Sequence, residues 1–114
     1  LKDEKAPTIN GDGEQTRDFT FVQNAVQANV RAFFAKEEAI NEVFNVAFGE
    51  RISLNTLWKD LKSISGKEVE ANYGPPRKGD VRDSLANIDK ARKLLGYDPL
   101  FSVKDGLKLT WEQF

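Results

Sequence analysis

Three residue types are missing from this chain of 114 residues: cysteine, histidine and methionine. Without cysteine there can be no disulfide, no thiol nucleophile and no cysteine-ligated zinc. Without histidine the chain lacks the most common general base, and Ser-His or Cys-His catalytic arrangements are impossible. Any chemistry must therefore depend on other side chains. Because there is no methionine with which translation could start, we interpret the chain as a piece of a longer protein.

The sequence is also short of excess charge and of long apolar runs. Its 17 Lys and Arg residues oppose 18 Asp and Glu residues, which leaves a net charge of -1. This balance gives no general positive field for a nucleic acid or an anionic membrane. No apolar run approaches the roughly 20 residues that span a bilayer, and no basic-then-apolar leader opens the chain. We therefore expect a soluble, cytoplasmic protein without nucleic-acid or membrane partners, in which any cationic site is local.

The apolar content is enough for one small core. The chain is 39% hydrophobic and includes 8 Phe and 2 Trp residues, so residues 1–114 are expected to form a single domain. Apolar spacing and turn residues predict short strands at 8–9, 17–21 and 69–73 and a buried strand at 43–48. We predict a small mixed α/β fold.

Four helices are predicted from apolar spacing and from capping residues. The first covers 22 to about 35, with Thr20 as its N-cap. The others begin after caps at Ser53, Asn87 and Ser102, where Ser102 and Asp105 form a capping box, and the second and third end at Gly66 and Gly96. The apolar stripe of each helix is interpreted as ordinary core.

Residues 73–80, YGPPRKGD, form an unusual loop. Two consecutive prolines exclude helix interior and central strand, so this segment must be stiff and exposed. Gly79 permits a sharp bend that carries Asp80 back toward Arg77. In a chain that is 31% charged, such a group is usually a solvated turn, and a short motif has a high false-positive risk.

A second loop, GDGEQTRDF at residues 11–19, has similar chemistry. Each loop carries one arginine beside glycine or proline, together with an aspartate. The planar guanidinium of Arg donates two parallel hydrogen bonds and stays charged, which suits a diphosphate. The two arginines could therefore hold a pyrophosphate between them, and Asp80 could accept hydrogen bonds from paired hydroxyls such as those of a ribose.

Three motifs in this order resemble one enzyme family. GDGEQTRDF, VFNVAFGERISL and YGPPRKGDVRDSLANIDKARKLLGYDP are similar to the C-terminal third of extended short-chain dehydrogenase/reductase enzymes that act on nucleotide-diphosphate sugars, the NAD-dependent epimerases and dehydratases. Within that family the chain most resembles the UDP-N-acetylglucosamine 4-epimerases. The resemblance covers nearly all 114 residues. It implies that the chain is the substrate-binding part of an enzyme with a Rossmann-type fold.

The resemblance also implies roles for individual residues. Arg17 and Arg77 would contact the UDP pyrophosphate from opposite sides, and Asp80 would bind the uridine ribose. Ser84 lies where family members carry a residue that faces the sugar, and a small side chain there leaves room for an N-acetyl group. Asp18 either orients Arg17 or caps a turn.

The catalytic parts of such an enzyme are missing from this sequence. Family members use NAD, bound at a glycine-rich Rossmann loop, and a Tyr-x-x-x-Lys pair, and neither occurs here. No catalytic, cofactor-binding or metal-binding residue is therefore expected in this chain, and NAD would be bound by an absent N-terminal domain. The resemblance favours a homodimer for the full-length protein, which we expect to interconvert UDP-GlcNAc and UDP-GalNAc, UDP-Glc and UDP-Gal, or both pairs.

Other functions remain open at this level. A nucleotide-sugar 4,6-dehydratase or a UDP-glucuronate decarboxylase of the same family would share these two loops and differ in catalytic residues upstream. A non-catalytic module that binds nucleotide sugars or another protein is an alternative of a different class.

Overall fold

The computed structural model describes all of residues 1–114 and shows a mixed α/β fold, as predicted. The elements in chain order are β1 (Thr8–Asn10), β2 (Thr16–Arg17), α1 (Val22–Phe33), a single 3₁₀ turn (Glu37–Ala39), β3 (Ile52–Ser53), α2 (Leu54–Ser65), β4 (Asn72–Gly74), α3 (Asp89–Leu95) and α4 (Val103–Trp111). No helix has the length and apolar character needed to cross a membrane.

The strands form two separate pairs. Strand β1 lies parallel to β4, with Ile9 opposite Tyr73, and β2 lies antiparallel to β3, with Arg17 opposite Ile52. Thr16 also forms a parallel bridge to Asp83. Of the predicted strand at 17–21, only Arg17 pairs, together with Thr16 before it. Of the predicted strand at 69–73, only Asn72 and Tyr73 pair, together with Gly74 after them. The two pairs place the loops after β1 and after β4 on the same side of the molecule, where both contribute to shared clefts.

The core is small and the molecule is thin. Only 12 of 114 residues are buried, and the principal dimensions are 50 × 33 × 16 Å. The main buried cluster contains seven residues from α1, α3 and the segments beside them: Ala28, Ala39, Ala47, Ile88, Ala91, Leu95 and Tyr97. A 16 Å thickness leaves room for only one layer of helices against the strand pairs, since a helix with side chains is about 10 Å across.

The predicted caps of α2 and α4 are confirmed, whereas for α3 only the predicted C-terminal glycine is confirmed. The Ser53 hydroxyl accepts a hydrogen bond from the Thr56 backbone N–H at 3.1 Å, and Gly66 ends α2 with φ +65°. Gly96 ends α3 in the same left-handed conformation, but the predicted N-cap of this helix is wrong: the N-cap is Ile88 rather than Asn87. The Asn87 side chain instead accepts a hydrogen bond from the backbone N–H of Asp89, two residues on, at 2.9 Å. Ser102 and Asp105 form the predicted capping box, with each side chain accepting from the other residue's backbone N–H. Local chemistry therefore sets both ends of α2, the end of α3 and the start of α4.

The prediction for helix α1 is correct in position and wrong in two details. Its N-cap is Phe21 rather than Thr20, and no side chain caps it. Its apolar stripe, which was interpreted as core, is exposed: Val22, Val26, Val30 and Phe33 keep between 52% and 83% of their surface accessible. The face that packs into the molecule carries Asn24 and Ala28 instead. The stripe stays in solvent because no other element of these 114 residues covers it.

The predicted buried strand at 43–48 is also wrong. No backbone hydrogen bond joins this segment to another strand, and Val43 is 85% exposed. Side chains hold the C-terminal end of this segment. The Tyr97 hydroxyl donates to the Ala47 carbonyl at 2.7 Å. The Asp18 carboxylate accepts from the backbone N–H groups of Phe48 and Gly49. Apolar and β-branched residues favour extended backbone, but a strand also needs an edge to pair with.

Candidate functional site

The first half of the site is the tight turn after β1. Gly11 and Gly13 have φ of +84° and +77°, a conformation that is costly for residues with a Cβ. Between them, the Asp12 carboxylate accepts a hydrogen bond from the Glu14 backbone N–H at 3.0 Å. The turn directs residues 15–17 between β3 and the segment 82–84. The sequence Asn-Gly-Asp-Gly thus fixes the direction from which Arg17 enters the site.

Asn55, at the start of α2, holds this turn in place, and its role was not foreseen from the sequence. Its backbone N–H donates to the Gly13 carbonyl at 3.0 Å, and its side-chain amide donates to the Asp12 carbonyl at 3.0 Å and to the Glu14 carboxylate. Its amide oxygen accepts from the Tyr73 hydroxyl at 2.8 Å. Asn55 therefore connects the turn to α2 and to β4.

The second half of the site is the loop after β4. Gly79 has φ +80°, and the Asp80 backbone N–H donates to the Arg77 carbonyl at 3.2 Å. This is the sharp bend that was predicted to carry Asp80 back toward Arg77. Residues 75–80 are otherwise exposed, so the stiffness of the loop comes from the two prolines and this bend rather than from burial.

The two loops meet through an ion pair. The Arg17 guanidinium donates through Nη2 to Asp80 Oδ1 at 2.5 Å and through Nη1 to the Thr16 carbonyl at 2.6 Å. The side chains of Arg17 and Asp80 keep 26% and 36% of their surface accessible, so both can still be reached by a ligand. Two residues that are 63 positions apart in the sequence therefore form one polar group.

Arg17, Arg77 and Asp80 line the same cleft, which has a volume of about 290 Å³. One wall of this cleft is apolar and comes from β1 and α2, with Ile9, Leu54, Leu57, Trp58 and Leu61. The structure thus brings three of the four predicted site residues together. Their role in binding stays a prediction.

A second cleft, of about 530 Å³, shares Arg77 and Asp80 with the first and is mostly polar. It adds Arg82, which donates to the Asp12 carboxylate at 2.7 Å. This hydrogen bond, with that from the Glu14 backbone, lowers the pKa of Asp12, and the same pairing raises the pKa of Arg82. Both groups therefore stay charged across the neutral range. Arg82 was not singled out from the sequence, where its neighbours give no signal that it faces a cleft.

Ser84 lies outside both clefts. It is exposed, and its backbone N–H donates to the Thr16 carbonyl at 3.2 Å. The adjacent contacts, from the Thr16 backbone N–H to the Arg82 carbonyl at 2.9 Å and from the Thr16 hydroxyl to Asp83 at 2.7 Å, fix the register of this segment beside β2. Ser84 is therefore held beside β2 without a hydrogen bond to Arg17.

Asp18 does not orient Arg17. Both of its carboxylate oxygens accept backbone N–H groups of Phe48 and Gly49 at 3.0 to 3.1 Å. Of the two roles considered for it, the structural one is correct. Gln15, by contrast, is not among the predicted site residues, although it is buried and lines both clefts. Its position two residues before Arg17, on the same side of an extended segment, was the available signal.

A family model described as GDP-mannose 4,6 dehydratase matches residues 1–110 of the chain. The chain belongs to this family. The predicted relationship to NAD-dependent nucleotide-sugar epimerases and dehydratases is therefore confirmed. Because the match includes both loops and the segment that joins them, it covers every residue of the site.

Solved structures of family members include several similar to this chain. A UDP-glucose 4-epimerase from Thermotoga maritima, in complex with UDP-glucose, is 44% identical with a TM-score of 0.89, over 96% of this chain and 35% of its own. A UDP-glucuronic acid 4-epimerase from Bacillus cereus, in complex with UDP-glucuronic acid and NAD, is 36% identical with a TM-score of 0.90, over 97% of this chain and 35% of its own.

A UDP-N-acetylglucosamine 4-epimerase from Methanobrevibacter ruminantium, in complex with UDP-N-acetylmuramic acid, is 27% identical with a TM-score of 0.84, over 99% of this chain and 37% of its own. The chain spans about a third of the length of the curated relatives that it matches. The predicted fold class is confirmed by these structures.

The residues of this chain do not form an NAD site of the Rossmann type. Such a site needs a glycine-rich loop between a strand and the N-terminus of a helix. The four helices here begin after Phe21, Ser53, Ile88 and Ser102, and none of these positions follows a glycine-rich turn. The glycine-rich turn at 11–13 leads into β2 instead. No step involving NAD is therefore assigned to residues of this chain.

Proposed function

We propose that this chain is the substrate-binding part of an NAD-dependent UDP-sugar 4-epimerase. The observation that carries the proposal is the convergence of Arg17, Arg77 and Asp80 on one cleft, in a chain whose solved relatives include epimerases in complex with UDP-sugars. In this proposal residues 1–114 bind the nucleotide sugar, and a Rossmann domain outside this chain binds NAD and supplies the catalytic residues. As the resemblance implies, the full-length enzyme would be a cytoplasmic homodimer.

The chemistry assigned to the chain is binding and orientation. The guanidinium groups of Arg17 and Arg77 donate hydrogen bonds to the diphosphate, and the carboxylate of Asp80 accepts from the ribose hydroxyls. Diphosphate binding would shift Arg17 away from its present hydrogen bond with Asp80, which frees that carboxylate for the ribose. Fixing the UDP portion places the sugar at a constant distance from the cofactor, which is how binding energy far from the reacting carbon contributes to catalysis.

Replacing Arg77 with alanine should weaken UDP binding by the full-length enzyme. Hydrogen bonds to charged groups contribute about 1.5–3 kcal/mol each, so we expect a loss of about 10- to 100-fold in affinity by isothermal titration calorimetry. The matched control is Lys78→Ala, which removes the adjacent exposed cation that lines neither cleft. Its affinity should stay within about 2-fold of wild type, since exposed charges contribute little. Equal effects of the two variants would show that Arg77 acts only through general charge, contrary to the proposed site.

The proposed substrates are UDP-GlcNAc and UDP-GalNAc, with UDP-Glc and UDP-Gal as further candidates. The support is the small side chain of Ser84 and its fixed register beside Arg17. The names of the similar solved structures favour an epimerase over a dehydratase or a decarboxylase. The same comparisons favour an enzyme over a non-catalytic binding module.

Replacing Ser84 with tyrosine should exclude the N-acetylated substrates from the full-length enzyme. A bulky ring would occupy the space required by the acetamido group, so kcat/KM for UDP-GlcNAc should fall by about 10-fold or more while that for UDP-Glc changes by about 3-fold or less. A coupled assay with both substrates measures the ratio. Parallel losses for the two substrates would mean that Ser84 does not face the sugar.

A further inference from the structure

Gln15 has one hydrogen-bonding atom that the protein itself does not use. The residue is only 7% exposed, and its side-chain nitrogen donates to the Asn10 carbonyl at 2.6 Å. Because a carbonyl can only accept, this contact fixes which end of the amide is the nitrogen. The other end, Oε1, is buried and has no partner among the protein's atoms.

This unpaired oxygen is unusual within the molecule. It is the only buried side-chain nitrogen or oxygen of the chain that lacks a partner, whereas the other buried polar side chain, Asn24, is hydrogen-bonded at both ends. Buried polar atoms in native proteins are nearly always paired, and each exception calls for an explanation such as a functional role or a bound water or ion. The Gln15 oxygen is therefore an acceptor without a partner, and a ligand would reach it after a small shift of the side chains that cover it.

The position of Gln15 indicates which part of a ligand could supply that partner. Four residues line both clefts, and Gln15 is one of them, with Asn10, Arg77 and Asp80. It stands two residues before Arg17, which corresponds to about 6.6 Å along an extended segment. If the diphosphate of a ligand contacts Arg17 and Arg77, the ligand group that adjoins the diphosphate would lie at Gln15.

The character of the first cleft favours the nucleoside as that group. Its wall of aliphatic and aromatic side chains from β1 and α2 suits the faces of a flat base, while the second cleft has no aromatic side chain and, apart from Pro76 and Val81, is lined by polar residues and glycines. Asp80, which is proposed to bind the ribose, lies on the boundary between the two clefts, so a nucleoside with its base against the apolar wall would carry its ribose to that boundary. Gln15 forms part of that boundary.

We propose that Gln15 Oε1 accepts a hydrogen bond from the nucleoside part of the ligand, either from a ring N–H of the base or from a ribose hydroxyl. Gln15 is then a specificity-determining residue, because a nucleotide that lacks the donor leaves the acceptor buried and unpaired. The inference rests on the proposed function of the cleft as a UDP site. It adds a neutral contact to a site otherwise described by its charges.

The test is a cycle of residue and ligand changes, measured by calorimetry on the full-length enzyme. Wild type and Gln15→Met are each titrated with UDP, 3-methyl-UDP, 2′-deoxy-UDP and 3′-deoxy-UDP. We expect Gln15→Met to weaken UDP binding by about 5- to 10-fold, the usual worth of one neutral hydrogen bond. The analogue that lacks the relevant donor should bind wild type and variant equally. Coupling with 3-methyl-UDP would assign the donor to the base, and coupling with a deoxy analogue would assign it to the ribose.

Two results would overturn the proposal. If Gln15→Met weakens all four ligands by the same factor, Gln15 only supports the turn through its bond to Asn10. If wild type binds every analogue as tightly as UDP, no donor of the nucleoside is recognised, and this comparison does not depend on the folding of any variant. Gln15→Leu serves as a second apolar replacement. Arg77→Ala is titrated in parallel: its loss of UDP affinity without any coupling at Gln15 would leave the proposed function standing and reject only the role of Gln15.

Discussion

Replacing Asn24 with leucine should destabilise the fold by about 3–4 kcal/mol, because three hydrogen bonds lose their partner at once. The Asn24 side chain is fully buried. Its amide nitrogen donates to the Phe101 carbonyl at 2.7 Å, and its oxygen accepts from the backbone N–H groups of Leu100 and Phe101 at 3.0 and 3.1 Å. These bonds join α1 to the segment that leads into α4. Leucine has the same branched shape with a larger volume, and it leaves all three backbone groups unsatisfied.

The matched control is Asn29→Leu in the same helix. Asn29 is exposed, and its side chain donates only to the Ala25 carbonyl of its own helix, so its replacement should cost about 0.5 kcal/mol or less. Urea denaturation followed by circular dichroism gives both free energies of unfolding. A difference between the two variants of under about 1 kcal/mol would mean that the contacts of Asn24 contribute much less than their burial indicates.

Replacing Gly13 with alanine should both destabilise the turn and weaken UDP binding. A Cβ built at Gly13 would lie 2.0 Å from Asn55 Oδ1 and 2.6 Å from Asn55 Cγ, at a residue with φ +77°. The Asn55 side chain would have to leave, which breaks its hydrogen bonds to Asp12, Glu14 and Tyr73. We expect a loss of about 3 kcal/mol, from roughly 1 kcal/mol of backbone strain and the remainder from these bonds.

The matched control, Gly66→Ala, separates the cost of backbone strain from the cost of the steric clash with Asn55. Gly66 has a similar φ of +65°, but a Cβ there meets nothing within 4 Å, so only the strain of about 1 kcal/mol applies. Its UDP affinity should equal that of wild type, whereas Gly13→Ala disturbs the turn that carries Gln15 and Arg17. In a protein that already carries Asn55→Ala, adding Gly13→Ala should cost little beyond the backbone strain, since the side chain that clashes with the new Cβ is gone. Additive losses would show that Asn55 does not hold the turn.

The parts of the fold that the sequence predicted well are those set by local chemistry. Ser53, Gly66 and the pair Ser102 and Asp105 act within a few residues of their own positions, so their roles can be recognised without a partner element. The glycines of the first turn and Gly79 belong to the same class. Arg17, Arg77 and Asp80 were predicted because loop chemistry and the family resemblance pointed to the same residues.

The parts that were missed depend on what lies across the molecule. Asn55 contacts a turn 43 positions earlier in the chain, and Gln15 and Arg82 acquire their significance only when two distant loops meet. Helical spacing identified the apolar face of α1, but spacing cannot show whether another element covers that face. The same applies to 43–48, whose composition favours a strand although no partner edge is available.

The ion pair between Arg17 and Asp80 has a consequence for selectivity among anions. In the proposed site, Asp80 is a tethered competitor for the guanidinium, present at an effective concentration that dilute free ions do not reach. A small anion such as chloride would bind only Arg17 and would leave the Asp80 carboxylate without a hydrogen-bond donor. A nucleoside diphosphate would gain two arginines and offer hydroxyl groups to the carboxylate that it displaces. Discrimination against simple salts therefore follows from the site's own negative charge.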